Sequence, residues 1–216
     1  FLKKLYYSEL MKTIVFDFDH TLFDTKALKV HIDTLFEEVG VPEHISKRAE
    51  EDFRSKNFNN YDFSGHIESI KESGGEVHDS IHEKFAAIDF KNHIKGNVEK
   101  TIRTFQGKGY KTILLTKGTD GFQNLKLERS GVKEMFGENI IICPHGKEKI
   151  LEKLVTNGPD TFLFNDDVPE TDRIKKVLPH VTYVICKRDD DKFSYTNLDP
   201  VYHLISSIDE LENIVK

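Results

Sequence analysis

The sequence predicts a three-layer α/β domain built on a doubly wound parallel sheet, with a small all-helical segment let into it. Three observations predict this. Short apolar runs at Thr13–Phe16, Lys111–Thr116, Ile140–Cys143 and Phe162–Asn165 read as strands buried on both faces, as at the centre of a parallel sheet. From Gly96 onward such runs alternate with helical patterns, the order that places helices on both sides of one sheet. Between Asp24 and Gly96 no alternating pattern occurs, and helical stripes follow one another.

At 216 residues the chain can bury one sizeable domain, or a domain carrying an insertion. A net charge of -6 argues against a general nucleic-acid binder. Only two cysteines occur, Cys143 and Cys186, far apart and without His or Cys partners at metal spacing. Neither a disulfide framework nor a zinc site is indicated, and both lie in apolar runs as buried reduced thiols would. No apolar run approaches the roughly 18 residues of a membrane span. A cytoplasmic protein is expected.

The first ten residues, Phe1 to Leu10, lack the apolar core and small-residue cleavage site of a secretory signal. Met11 reads as a natural start, which makes residues 1–10 an added extension or a short upstream helix without a part in the chemistry. The first strand, Thr13–Phe16, runs into Asp17 and Asp19. Residues at i and i+2 of an extended segment project to the same side, so the two carboxylates converge. At the carboxyl end of a central strand they stand where open α/β sheets place ligands. Two carboxylates so close repel unless compensated, and a hard divalent ion such as Mg2+ is the natural compensation.

After Asp24, Ala27, Val30, Leu35, Phe36 and Val39 form a rough helical stripe closed by Gly40 and Pro42. Glu43–Lys56 reads as a charged helix. Two more are expected at Ser64–Lys71 and Val77–Ile88, parted by Gly74-Gly75. The core resumes near Gly96 with a helix from Val98 to Phe105, broken at Gly107-Lys-Gly109. The second strand ends in Thr116-Lys117-Gly118, followed by a helix from Gly121 that a glycine, Gly131, closes. The third strand leads through Pro144-His-Gly-Lys147 into a helix. The fourth delivers Asn165, Asp166 and Asp167. A helix from Pro169 to Leu178, a strand from Val181 to Cys186, a short strand around Tyr202–Ile205 and a helix from Ile208 complete the chain. The triplet Asp189-Asp190-Asp191 lacks the spacing and glycine of a calcium loop and reads as solvated.

The string Asp17-x-Asp19-x-Thr21 behind an apolar strand, Thr116 ending a second, Lys147 at a helix start and Asp166 ending a further strand resemble, in order, the four motifs of the haloacid dehalogenase-like hydrolases. The resemblance implies a core formed by residues 11–24 and 95–216. It implies a helical cap over 25–94 that closes on the site and contacts substrate. Most members are phosphatases. On that pattern Asp17 is the nucleophile that becomes an aspartyl-phosphate, and Asp19 is the general acid/base. Thr116, Lys117, Gly118 and Lys147 hold the phosphoryl oxygens. Asp17, the main-chain carbonyl of Asp19, and Asp166 hold Mg2+. Lys149 is the runner-up for Lys147, and Asn165 stands where the family has Gly. Glu170 is the later acid of the fourth motif, with Asp167 as its competitor. Arg54, Lys56, Tyr61 and His66 in the cap, and His20, are candidate substrate contacts. A small phosphorylated metabolite is the expected substrate. A phosphomutase or phosphotransferase of the same fold shares every motif. A dehalogenase needs no second carboxylate, which counts against it, and a non-catalytic phosphate-binding protein is the remaining alternative.

Overall fold

In the computed structural model, residues 12–155, 160–188 and 195–215 are described. Residues 1–10, Met11 and the Asp189–Asp191 triplet lie outside them. Strand β1 (Thr13–Phe16) is the centre of the sheet because Ile14, Val15 and Phe16 leave no polar side chain to face water. It pairs in parallel with β2 (Lys111–Lys117) on one side and β4 (Thr161–Asn165) on the other. With β3 (Ile140–Cys143), β5 (Thr182–Cys186) and β6 (His203–Ile205) they form one six-stranded sheet, order β3-β2-β1-β4-β5-β6. The order reverses at β1, so the crevice for a ligand lies beyond its carboxyl end. Side chains alternate across the sheet. Ile14 and Phe16 enter one apolar cluster, whereas Val15 joins Ile113, Leu115 and Leu163 in the other. Each fully buried side chain of this size contributes about 1.5–3 kcal/mol.

Helices α1 (Thr25–Glu38), α2 (Glu43–Lys56), α3 (Phe63–Glu72) and α4 (Ser80–Ala87) follow β1, with a 3-10 turn at Phe90–His93. Asp24 caps α1 by accepting from the Ala27 amide at 2.9 Å, and Asp62 caps α3 through the Gly65 amide. Gly40, at φ +86, ends α1 in the left-handed region that glycine enters most easily. The buried stripe of α1 differs from the expected one. Ala27 and Val30 face solvent, while Leu28, Ile32, Leu35 and Phe36 give the spacing that packs inward. Gly65 lets α3 lie on α2, since a Cβ there would stand 2.1 Å from the Phe53 ring. The last of the four helices starts at Ser80 rather than Val77.

His66 occupies the middle of this packing, fully buried, with its ring 4.5 Å from that of Phe36. Nε2 lies 2.8 Å from the Ser46 carbonyl and Nδ1 lies 3.1 Å from the Tyr61 hydroxyl. It is therefore an internal tie between α2 and α3, and not the substrate contact expected of it. The loop after α2 holds Phe58 (φ 54) and Asn59 (φ 62) in left-handed conformations. The loop touches the core where the Asn60 amide donates to the Pro144 carbonyl at 3.1 Å and the Phe58 ring meets His145 at 4.5 Å. At the return, Arg129 donates to the carbonyls of Phe85, Ala86 and Ile88 and lies 4.3 Å from the Phe90 ring.

The remaining helices are α5 (Val98–Gly107), α6 (Asp120–Arg129), α7 (Val132–Phe136), α8 (Glu148–Leu154) and α9 (Val168–Val177). The expected helix from Ile208 is a 3-10 turn, Ile208–Asn213, entered through a capping box at Ser207 and Glu210. Cys143 and Cys186 are both buried, and burial pushes the Cys143 thiol up to about 11. Among the described residues no helix is long and apolar enough to cross a membrane.

Burial pulls the His66 pKa below its ordinary 6.5. The unfolded chain therefore takes up this proton first on acidification. The stability His66 contributes is full above about pH 6.5 and is lost as pH falls toward its folded value, by at most about 1.4 kcal/mol per pH unit. Urea unfolding at pH 7.5 and pH 5 is expected to show a larger loss for the wild type than for His66→Gln.

Candidate active site

The carboxyl edge of the sheet gathers the charged residues because parallel strands all end there. Asp17 follows β1, Thr116 stands near the end of β2, Lys147 precedes α8, Asp166 follows β4 and Arg188 follows β5. Lys147 is the junction. Its Nζ lies 2.6 Å from Asp17 Oδ1 and 2.8 Å from Glu170 Oε2, with the lysine side chain 3% exposed. The Thr21 hydroxyl lies 2.9 Å from Asp17 Oδ2 and 3.2 Å from Asp166 Oδ1, so these two carboxylates share one neighbour. Burial, with Asp166 and Glu170 close by, outweighs Lys147 and pushes the Asp17 carboxyl up to about 7. The same pairs hold Lys147 well above the usual lysine range, against burial, and keep Glu170 below the usual carboxylate range.

Asp19 is in a different environment. Lys126 Nζ forms an ion pair with its Oδ1, the Thr25 hydroxyl donates to Oδ1 at 2.5 Å, and Gln123 Nε2 donates to Oδ2 at 2.7 Å. Burial alone would raise this carboxyl, but Lys126, Gln123 and Thr25 together hold it down to about 2. Lys126 is itself sequestered, 5.3–5.8 Å from the ring centres of Phe18, Phe23 and Phe122. Adjacent carboxylates of one strand end are thus set in opposite directions, one by crowding with its own kind and one by a buried ammonium.

Thr116 is fully buried, and its hydroxyl lies 3.3 Å from Gln123 Nε2. Lys117 is exposed on the cavity wall. The Gly118 amide, expected among the phosphate donors, instead donates to the Cys143 carbonyl at 3.0 Å. That bond extends the β2–β3 pairing by one step. The glycine supplies room, since a Cβ would stand 2.5 Å from the Gln123 side chain. The runner-up Lys149 is exposed, whereas Lys147 is buried against Asp17. Asp167 accepts from the Glu170 amide as the cap of α9, so Glu170 is the later acid that reaches the cluster. Asn165, in place of Gly, has no unusual backbone, and its amide lies 3.3 Å from Glu170 Oε2 and 3.0 Å from Thr171 Oγ1.

A cavity of about 490 Å³ opens between this edge and the inserted helices. Asp19, His20, Lys117, Gly118, Gln123 and Lys126 line its core side. From the insertion come Lys29, Glu50, Arg54, Asn60 and Tyr61. Glu50 pairs with both Lys29 and Arg54, and the Arg54 guanidinium lies 5.1 Å from the Tyr61 ring. Of the expected contacts in the insertion, Arg54 and Tyr61 reach the cavity, while Lys56 is exposed and does not line it. Thr21, Gln123, Lys126 and Arg188 were not assigned roles from sequence. Thr21 stands within the first motif, and Gln123 and Lys126 are one helical turn apart on the helix after Thr116, the only signals that could have marked them.

For a metal, the donor set is all oxygen. Among the described residues no three acidic or histidine side chains form a binding group by themselves. The two neighbouring carboxylates of Asp17 and Asp166 suit a hard divalent ion that completes its shell with a main-chain carbonyl and water.

The family model for haloacid dehalogenase-like hydrolases matches residues 11–169. Among solved structures, one described as a haloacid dehalogenase-like hydrolase, from Burkholderia xenovorans LB400, superposes with a TM-score of 0.79 at 17% identity, covering 95% of this chain and 96% of that one. L-2-haloacid dehalogenase from Xanthobacter autotrophicus gives 0.61 at 13% identity, over 95% and 98%. A protein assigned as a β-phosphoglucomutase, from Thermotoga maritima, gives 0.59 at 17% identity, over 94% and 98%. At such identities these likenesses speak for the fold. No curated protein matches in sequence.

Removing Lys147 leaves Asp17 and Glu170 buried together without their shared cation. Lys147→Ala is expected to lower unfolding free energy by about 3–5 kcal/mol. Adding Asp17→Asn should return part of that loss, so the double variant in denaturant titration falls short of the sum of the singles.

Proposed function

The chain belongs to the haloacid dehalogenase-like hydrolases, and from that premise we propose that it is a magnesium-dependent phosphatase of a small phosphorylated metabolite. The observation that carries the reading is the pairing of Asp17, fastened to Lys147 and Thr21, with a second carboxylate, Asp19, that lines a cavity of about 490 Å³. A cavity of that size takes a small molecule. A dehalogenase of this fold has no use for Asp19, and here three side chains are committed to holding it.

In this reading a carboxylate oxygen of Asp17 attacks phosphorus, and the bond to the leaving oxygen breaks as Asp19 supplies its proton. Asp19, again a carboxylate, then takes a proton from the water that attacks the aspartyl-phosphate, which returns Asp17 and releases phosphate. Lys147 and the Thr116 hydroxyl stabilise charge on the phosphoryl oxygens, with Lys117 at the wall. The Gln123 amide nitrogen lies within 2.6–3.3 Å of the Lys117 carbonyl, Asp19 and the Thr116 hydroxyl, which ties the proton-transfer carboxylate to the end of β2. Asp17, Asp166 and the main-chain carbonyl of Asp19 would hold Mg2+, which when bound offsets the repulsion between Asp17 and a phosphate dianion. A phosphomutase would differ only in the acceptor that takes the phosphoryl group. Buried thiols at Cys143 and Cys186 fit a reducing, cytoplasmic setting.

Hydrolysis of a chromogenic phosphate monoester is expected to require Mg2+ and to stop in Asp17→Asn with the circular dichroism spectrum unchanged. Asp19→Asn should lower kcat by about 10²–10⁴-fold. Chloride release from a 2-chloroalkanoate without phosphate-ester hydrolysis would replace this reading with the dehalogenase one.

A further inference from the structure

Three carboxylates, Asp17, Asp166 and Glu170, crowd the carboxyl edge of the sheet. Lys147 serves two of them, Asp17 and Glu170. Asp166 has another cation. Arg188, on the segment that leaves β5, is 7% exposed, and its Nη1 donates to Asp166 Oδ2 at 2.8 Å. Its Nη2 lies 3.2 Å from His20 Nε2, and His20 is held in a left-handed conformation at φ 62. None of the four motifs contains Arg188.

The guanidinium meets an electrostatic need that a divalent ion would also meet. A buried carboxylate is tolerated only when a cation or full hydrogen bonding compensates it. With Arg188 in place, Asp166 is compensated: Oδ2 accepts from Arg188, while Oδ1 lies 3.2 Å from the Thr21 hydroxyl that it shares with Asp17. A guanidinium bonded to that carboxylate also opposes the approach of a second, doubly charged cation to the same oxygens. Arg188 has somewhere to go, because together with His20 it forms part of the cavity wall, where water can solvate a displaced charge.

We propose that Arg188 is a built-in counter-cation of Asp166, and that a divalent ion binds by displacing its guanidinium from the carboxylate toward the cavity. The metal and the arginine then exchange places as partners of one side chain. This rests on the reading of Asp166 as a metal ligand. It goes beyond that reading in making the metal's affinity a property of a residue outside the motifs. The exchange also turns a positive charge from Asp166 toward the cavity that Arg188 lines when the ion is present.

Isothermal titration of Mg2+ into the full chain tests the exchange. Arg188→Gln is expected to bind Mg2+ about tenfold more tightly than wild type, the scale of one removed repulsive charge. Arg188→Lys, which keeps the charge on a shorter reach, should fall between them and serves if the glutamine variant does not fold. Asp166→Asn should abolish binding in the wild-type and Arg188→Gln backgrounds alike. Equal or weaker binding in the folded Arg188 variants overturns the exchange, as does binding that survives Asp166→Asn. Assaying phosphate-ester hydrolysis on the same samples separates the two claims. Tightening without hydrolysis leaves the exchange standing and removes the phosphatase reading, whereas hydrolysis without tightening does the reverse.

Discussion

One buried ammonium organises this edge of the molecule. Lys147 sits between Asp17, at the end of the central strand, and Glu170, in the first turn of the helix after β4. Neither carboxylate could remain charged at this depth without it, and the lysine could not remain charged without them. The three come from separate strand ends, so the ion cluster forms only when β1, β3 and β4 are in register. Asn165 then reinforces the Glu170 oxygen that Lys147 holds, and Thr21 fixes the other oxygen of Asp17. Electrostatics and topology are in this sense one constraint. The sheet brings the charges together, and the charges favour this arrangement of its loops.

The division of labour between Asp17 and Asp19 follows from what lies behind each. Asp17 faces other acids across Thr21, whereas Asp19 is backed by an ammonium set among aromatic rings. A carboxylate held down to about 2 is ionised and so free to receive a proton in the second half of the proposed reaction, but only as a weak base. To deliver one in the first half, it needs the environment around Lys126 to change when an anion enters. Thr25, the first residue of α1, touches the same oxygen as Lys126. The inserted helices therefore begin at a bond to the group whose protonation matters.

Much of this was readable from the chain, for definite reasons. Continuous apolar runs mark central parallel strands because nothing there faces water, so Thr13–Phe16 and Phe162–Asn165 were legible together with the acids that end them. Lys147 was separable from Lys149 by its place at a helix start. The inward face of α1 was not legible, because apolar residues occur on both its sides and only the neighbouring helices choose Leu28 and Ile32 over Ala27 and Val30. His66 read as a substrate contact because a histidine in a polar stretch looks exposed, and its burial against Phe36 is a tertiary fact. The Gly118 amide was misjudged since strand pairing with Cys143 claims it. Lys126, Gln123 and Arg188 were silent because each acts on a carboxylate far away along the chain.

The loop joining α2 to α3 carries a consequence for the cavity it lines. Phe58 and Asn59 both adopt backbone angles that L-residues avoid, at a cost of about 1–3 kcal/mol for such a residue, and Asn60 and Phe58 grip the stretch just before Lys147. That cost is tolerated only while the grip holds. The same loop lines the cavity through Asn59 and Asn60, so its backbone cost and the approach to Lys147 are held by one set of contacts.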